Sequence, residues 1–342
     1  MKRWEGYEKG VNVGGWLSQC DHTKDTYENF VVQDDFKTIA GWGLDHVRVP
    51  VDYDLVEDKE GNTLPDGYKY IDNAITWCQE NNLNMILDLH KTFGFSFDDG
   101  EGEDGFFDNP DYQERFYKLW EMFATKYGKY SDMLAFELLN EVTKKEYMDK
   151  WNEIADTCIK RIRKIAPNVY ILVGGYYNNS IESLPALRPP VDDHIIYTFH
   201  CYEPLIFTHQ GAYWAPGMDT SFRLSLDSTY GDMNEDSKKQ LSQVTVGFAG
   251  FDPNEKFGPE YFEKLFSEAV GVAEERDVPL YCGEYGVINL ADAGESLAWY
   301  KIINAAFRKH GIGRAAWNFR QKDFGLVDEH LKPVIDELLN YL

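Results

Sequence analysis

Two glutamates close short apolar runs in this sequence: Glu141 in Leu138-Leu139-Asn140-Glu141 and Glu284 in Gly283-Glu284-Tyr285-Gly286. A facing pair of carboxyl groups can cleave an acetal. One protonates the leaving oxygen, and the other meets the oxocarbenium-like carbon. At a separation of about 5 Å the second attacks directly and stereochemistry is retained. Asn140 stands next to Glu141, where an amide can bind a sugar hydroxyl without adding charge.

The elements that position such a pair follow from the hydrophobic pattern. Apolar, β-branched runs recur at Gly10–Leu17, His46–Val51, Asn84–Leu89, Leu134–Leu139, Val169–Gly174, Ile195–His200, Pro279–Gly283 and Gly313–Asn318. Helical periodicity lies between them, at Asp34–Ala40, Tyr70–Asn81, Pro110–Tyr127, Tyr147–Ile165, Pro259–Arg276 and Ser296–Lys309. Strands alternating with helices predict a parallel sheet. Eight strands, with a first turn Gly14-Gly15-Trp16 in place of a GxGxxG phosphate turn, predict one α/β domain over residues 1–342, a closed (β/α)₈ TIM barrel. The connection between His200 and Pro259 is too long for a plain loop. Residues 203–258 therefore read as a subdomain inserted after strand six, over the active-site face. A helix-like stretch at Asn234–Val244 lies within it.

A barrel of this kind works at the C-terminal ends of its strands. Those tips carry Arg48, Asp88 and His90, Asn140 and Glu141, His200 and Tyr202, Glu284, and Trp317, while the opposite ends carry few such groups. A structural protein has no need of that asymmetry. Taken singly, His90 and His200 would read as satisfied core histidines; their shared location argues for function. Glu137 reads as a buried structural carboxylate, and Arg48 could pair with it while also serving the site. His209 and Trp214 fall in the insertion, where substrate contact and loop packing explain them equally. Among the many aromatics near the tips, Trp317 and then Trp214 are the best platforms for a sugar ring, with Phe93 a distant third.

The motifs around Glu141 and Glu284, with Arg48, His90, His200, Tyr202 and Trp317 at the other tips, resemble glycoside hydrolase family 5, the cellulase family of retaining barrel glycosidases. The resemblance runs from Asn12-Val13-Gly14-Gly15-Trp16 to Ala316-Trp317-Asn318. It implies Glu141 as proton donor and later base, and Glu284 as the nucleophile that forms the glycosyl-enzyme ester. Tyr202 and Arg48 would hold Glu284, and His200 would lie near Glu141. His90 and Asn140 would hold the sugar at the cleavage point, and Trp317 would floor the subsite. The implied activity is an endo-β-1,4-glucanase. The runner-up is a β-mannanase or mixed-linkage glucanase, and a barrel that only binds carbohydrate is the reading outside enzymology.

Composition narrows the partners. Acidic residues outnumber basic ones 58 to 34, for a net charge of −24. Such a surface disfavours nucleic acid and anionic membranes but suits a neutral β-glucan, bound by a monomer. The five cysteines are odd in number and show no CxxC pair, so buried thiols are expected. Strand seven ends in a glutamate and strand eight in a tryptophan, which disfavours a barrel phosphate enzyme; with neither HxH nor HExxH, no metal or cofactor is expected. The acidic run Asp98–Asp104 lacks the ligand order of a calcium loop and reads as solvated. Met1 to Gly10 has no apolar signal-peptide core, so the chain either acts inside the cell or follows a leader already removed.

Overall fold

The computed structural model describes residues 1–98, 104–242 and 247–342. Eight strands, β1 (Gly10–Asn12), β2 (His46–Asp52), β3 (Asn84–Lys91), β4 (Leu134–Glu137), β5 (Tyr170–Val173), β6 (Ile195–His200), β7 (Leu280–Tyr285) and β8 (Gly313–Ala316), pair in sequence order into a closed barrel. Every pairing is parallel, and Gly10 opposite Ala315 closes the ring. β2 shows why these runs become strands. Val47, Val49 and Val51 pack outward into the core beneath the helices, while Arg48 points inside, as a period of two requires.

Six long helices surround the strands: α1 (Gln33–Gly41), α2 (Tyr68–Asn81), α3 (Pro110–Tyr127), α4 (Met148–Arg163), α5 (Glu260–Glu275) and α6 (Ala293–His310). Local chemistry sets their ends. Asn109 caps α3 by accepting from the Asp111 N–H, with Pro110 in the first turn. Asp292 caps α6, which stops at Gly311 with φ +67°. After β5 no long helix forms: a tight turn at Tyr176–Asn179 leads into a short 3₁₀ segment, Ile181–Ala186, with Pro185 inside it. Pro189 and Pro190 follow, and three prolines so close together cannot continue a helix.

Four strands are shorter than the pattern predicts: β4 stops at Glu137, β5 spans only Tyr170–Val173, and β1 and β8 are cut back at their tips. β1 ends at Asn12 because the chain turns at Gly14-Gly15, and Leu17 returns only as a single bridge to Val51. β8 ends at Ala316, before the cis peptide Trp317–Asn318. The Asn318 amide then accepts from the Gly14 N–H and donates to the Gly14 carbonyl, both at 2.9 Å, tying the last strand's tip to the first.

The lower end of the barrel is plugged from outside the sheet. Trp4 and Tyr7 stack at 3.8 Å and seal a layer of Ile86, Ala135, Leu172, Ile196, Tyr281 and Ala315. His46 sits in the same end, 2.5 Å from Asp45 and 2.7 Å from the Tyr281 hydroxyl. The N-terminal ends are thus more polar than the strand tips alone suggested.

In the 203–258 connection, Leu205–Thr208 forms one turn and Tyr230–Gln240 a helix. That helix starts four residues before the predicted Asn234, because Thr229 supplies the cap by accepting from the Asp232 N–H. Tyr230 stacks on Phe251 at 4.4 Å and on Tyr261 of α5 at 6.3 Å, which anchors the segment to the barrel's outer layer. Residues 243–246, in and just beyond the predicted helix, and 99–103, within the acidic run, lie outside the described residues. Among the described residues no helix is long and apolar enough to cross a membrane.

The plug yields a stability test. W4A removes a buried ring and should cost about 3 kcal/mol while leaving substrate KM unchanged. Denaturant melts and kinetics read both, and a loss of activity at full stability would contradict a purely structural role.

Candidate active site

Arg48 organises the interior of the barrel. Its side chain is fully buried, and its donors reach five groups on different elements. Nε donates to Glu137 at 2.7 Å and Nη2 to the other Glu137 oxygen at 3.2 Å. Nη1 donates to Asn12 at 3.0 Å and to Glu284 Oε1 at 2.8 Å. Nη2 also donates to the Asn140 side-chain Oδ1 at 2.9 Å and meets Asp88 at 3.0 Å. Arg48 therefore serves both networks that its position allowed, and Glu137 is the structural carboxylate it was expected to be.

The expected residues converge above this layer. The Tyr202 hydroxyl donates to Glu284 Oε2 at 2.8 Å. His200 Nδ1 lies 2.6 Å from Glu141 Oε1 and 3.7 Å from Glu284 Oε2. One oxygen of Glu141, one of Glu284 and a ring nitrogen of His200 all fall within 4.8 Å of one another. Three such atoms could ligate a cation. Here each of the four carboxylate oxygens already faces a protein partner: His200 and Asn178 at Glu141, Arg48 and Tyr202 at Glu284. The donor set is that of a carboxyl pair held apart by hydrogen bonds.

Burial sets the protonation. It raises the Glu141 carboxyl above its ordinary range, against the hydrogen bond from Asn178 and the charges of His90 and Arg48. It lowers His200 to about 4, so the imidazole is neutral at pH 7. Asp88 is pushed up to about 7 by burial, with Arg48 opposing and Glu141 adding. Tyr202 is likewise raised by burial and by the neighbouring carboxylates, and it stays a donor.

The floor is aromatic. Trp317 lies parallel to His90, with ring centres 5.9 Å apart and planes 4° apart. Gly14 and Gly286 make room for it: a Cβ on the first would overlap the indole, and a Cβ on the second the Trp317 carbonyl. His90 Nδ1 is 2.6 Å from Asp88, and its Nε2 is 3.4 Å from the Asn140 amide. Trp317, His90, Asn140, Glu141, Tyr202 and Glu284 line a cleft of about 720 Å³. The insertion forms one wall of it through His209, Tyr213 and Trp214. His209 packs its ring against Tyr202, Trp214 and Phe324 and is depressed to about 4 by burial, so it buttresses Tyr202. Trp214 is 41% exposed at the lip, free to meet a ligand.

Phe93 does not reach the cleft. Its ring lies under Arg115 at 3.9 Å and against Tyr112, and Phe97 takes the place beside His90. Cys201 and Cys282 are buried and their thiols are raised far up by burial, whereas Cys20 lies partly exposed on the cleft wall. Sequence reasoning overlooked Asn12 and Asn178. Asn12 sat in a quoted motif, on a strand whose inward parity placed it beside Arg48. Asn178 follows a strand tip but carries no pattern of its own.

Two carboxyls facing each other across an aromatic-floored cleft at the open end of a parallel barrel define a glycoside hydrolase. Residues 5–323 match the model of the cellulase family, glycosyl hydrolase family 5, and the chain belongs to that family. It is 49% identical to Cellodextrinase A of Ruminococcus flavefaciens over 92% of this chain and 86% of that one. It is 35% identical to Endoglucanase C of Acetivibrio thermocellus over 98% of both. Among solved structures, the cellulose synthase subunit Z of Clostridioides difficile superposes with a TM-score of 0.75 at 26% identity, covering 97% of this chain and 99% of the other.

Asp88 provides a test of the electrostatics. Its folded value is raised above the usual 3.8, so the stability it contributes is full below about pH 4 and is lost as the pH rises through about 7. Melting temperatures of D88N should fall less steeply than wild type between pH 4 and 7. Equal slopes would mean that Asp88 is ionised throughout.

Proposed function

We infer that the protein is a retaining endo-acting β-1,4-glucanase, with Glu141 as acid and base and Glu284 as nucleophile. The observation that carries this is that one oxygen of Glu141 and one of Glu284 lie within 4.8 Å of each other beside His200. It matches the roughly 5 Å spacing of enzymes that attack the sugar directly, whereas inversion needs room for a water between the groups.

In the first half-reaction a Glu284 oxygen bonds to the anomeric carbon. The bond to the leaving oxygen breaks, and that oxygen takes the Glu141 proton. In the second, Glu141 removes a proton from water, the water oxygen bonds to the anomeric carbon, and Glu284 leaves. Burial supports Glu141 in the first role, because it shifts the carboxyl towards its protonated form. The ion pair with Arg48 and the phenol of Tyr202 orient Glu284 for attack. Asn140 and His90 would hold the hydroxyls of the sugar lying on Trp317, and Trp214 would support the sugar chain at the lip. The insertion would wall one side of the cleft through His209, Tyr213 and Trp214. The proposed site needs no group from a second copy, which is compatible with a monomer, and the relatives' names support a cellulose-type glucan substrate. Likeness to a protein named as a cellodextrinase favours a second reading, in which short soluble oligomers are preferred to polymer.

Reducing-sugar release from carboxymethylcellulose, barley β-glucan, glucomannan, xylan and cellotetraose should show glucan cleavage by wild type. E284Q should fall to background with its melting temperature close to wild type. Rapid viscosity loss indicates endo action, oligomer cleavage alone the second reading, and mannan cleavage alone moves the substrate. E284Q turning over normally would remove the nucleophile. Proton NMR of early products should show the β-anomer; an α-anomer would mean inversion.

A further inference from the structure

We propose that Asn178 is a positioning residue for the acid/base Glu141, holding its carboxylate as charge develops on it; this rests on the reading of Glu141 as proton donor given above. Asn178 Nδ2 donates to Glu141 Oε2 at 2.7 Å, opposite the His200 bond to Oε1. The two partners hold the carboxyl from either side.

The loop that presents Asn178 is built around these contacts. Tyr177, Asn178 and Asn179 have φ of +49°, +57° and +56°, a left-handed run in which asparagine is the side chain most at ease. The Asn178 N–H donates to the carbonyl of Val142, the residue after Glu141, at 3.0 Å. Two residues on, Ser180 pairs with His200 as an isolated parallel bridge. Between them Asn179 is fully buried, against Gly174 at the end of β5. One short loop is thus pinned to the two segments that carry Glu141 and its other partner. Asn178 itself is exposed and contributes little to the core, so its bond to Glu141 is what the side chain adds.

The chemistry gives that bond a direction. A donor to a carboxylate gains strength as the carboxylate becomes charged. Glu141 becomes charged as its proton passes to the leaving oxygen, and it must be charged to deprotonate water. Asn178 therefore binds more tightly beyond the ground state, the condition for accelerating a step. The other groups facing Glu141 are His200 from β6, Glu284 from β7, Tyr202 beyond β6, His90 and Asp88 from β3, and Arg48 from β2. None of these is changed by altering Asn178.

N178G removes the amide and keeps the left-handed backbone free of strain; N178D keeps the shape and sets a second charge beside Glu141. Both should melt near wild type. The expected result for N178G is a loss of about tenfold in kcat/KM on cellotetraose, the change expected for one charge-assisted hydrogen bond. On 2,4-dinitrophenyl β-cellobioside, whose leaving group needs no proton, the loss should stay under about threefold. The alkaline limb of the cellotetraose profile should move to higher pH in N178G and further in N178D. An unmoved limb in both variants, or equal losses on the two substrates, would overturn the proposal. E141Q separates the two readings. If it keeps the wild-type limb and activity, the acid/base reading itself is wrong. If it abolishes the limb while N178G and N178D leave it in place, only the role of Asn178 fails.

Discussion

The architecture of this site depends on one buried cation. Arg48 faces Asp88, Glu137 and Glu284 directly, with Glu141 close by, and one positive charge cannot neutralise four carboxyls out of water. Burial raises Asp88, Glu137 and Glu141 above their ordinary values, while the charge of Arg48 opposes the rise at each. At Glu141 the rise comes from burial alone, against the hydrogen bond from Asn178 and the charges of His90 and Arg48. Glu137 takes both faces of the guanidinium's fork and fixes its plane, which leaves Nη1 aimed at Glu284.

Around that layer, the upper strand ends abandon regularity. β4 stops at Glu137, and the Asn140 N–H bonds back to the Leu89 carbonyl. Strict alternation would send Asn140 and Glu141 to opposite faces; the departure brings both into the cleft. The β6–β7 pairing shifts between Phe199 and His200, and the β7–β8 pairing shifts between Cys282 and Tyr285. Such irregularities re-aim side chains where chemistry needs them. The lower half of the barrel keeps its register and is sealed by Trp4 and Tyr7, so a rigid end supports an adapted one.

The cleft's walls show a similar division. Trp317 is set by contacts from the opposite side of the chain, with Gly14 and Gly286 clearing its space and Asn318 clamping Gly14. The insertion contributes Tyr213 and Trp214 at the lip and, through His209, the packing behind Tyr202. Families of barrel enzymes diversify through such loops, because a loop can change without disturbing the sheet that holds the carboxyls.

The sequence by itself determined the strand order, most of the helices and the residues at the tips. Periods of two and of 3.6 are local properties, and caps such as Asn109, Asp292 and Gly311 are written beside the segments they end. Glu141, Glu284, Arg48, His90, His200, Tyr202 and Trp317 were legible because they gather at the same end of six of the strands. Tertiary structure alone decided how far apart Glu141 and Glu284 sit, which way Arg48 divides its donors, and that Phe97 displaces Phe93 beside His90. It also brought in Asn178, whose value lies in a left-handed turn reaching across to another strand. Distances between residues far apart in the chain depend on the closure of the whole barrel, and no local pattern encodes that closure.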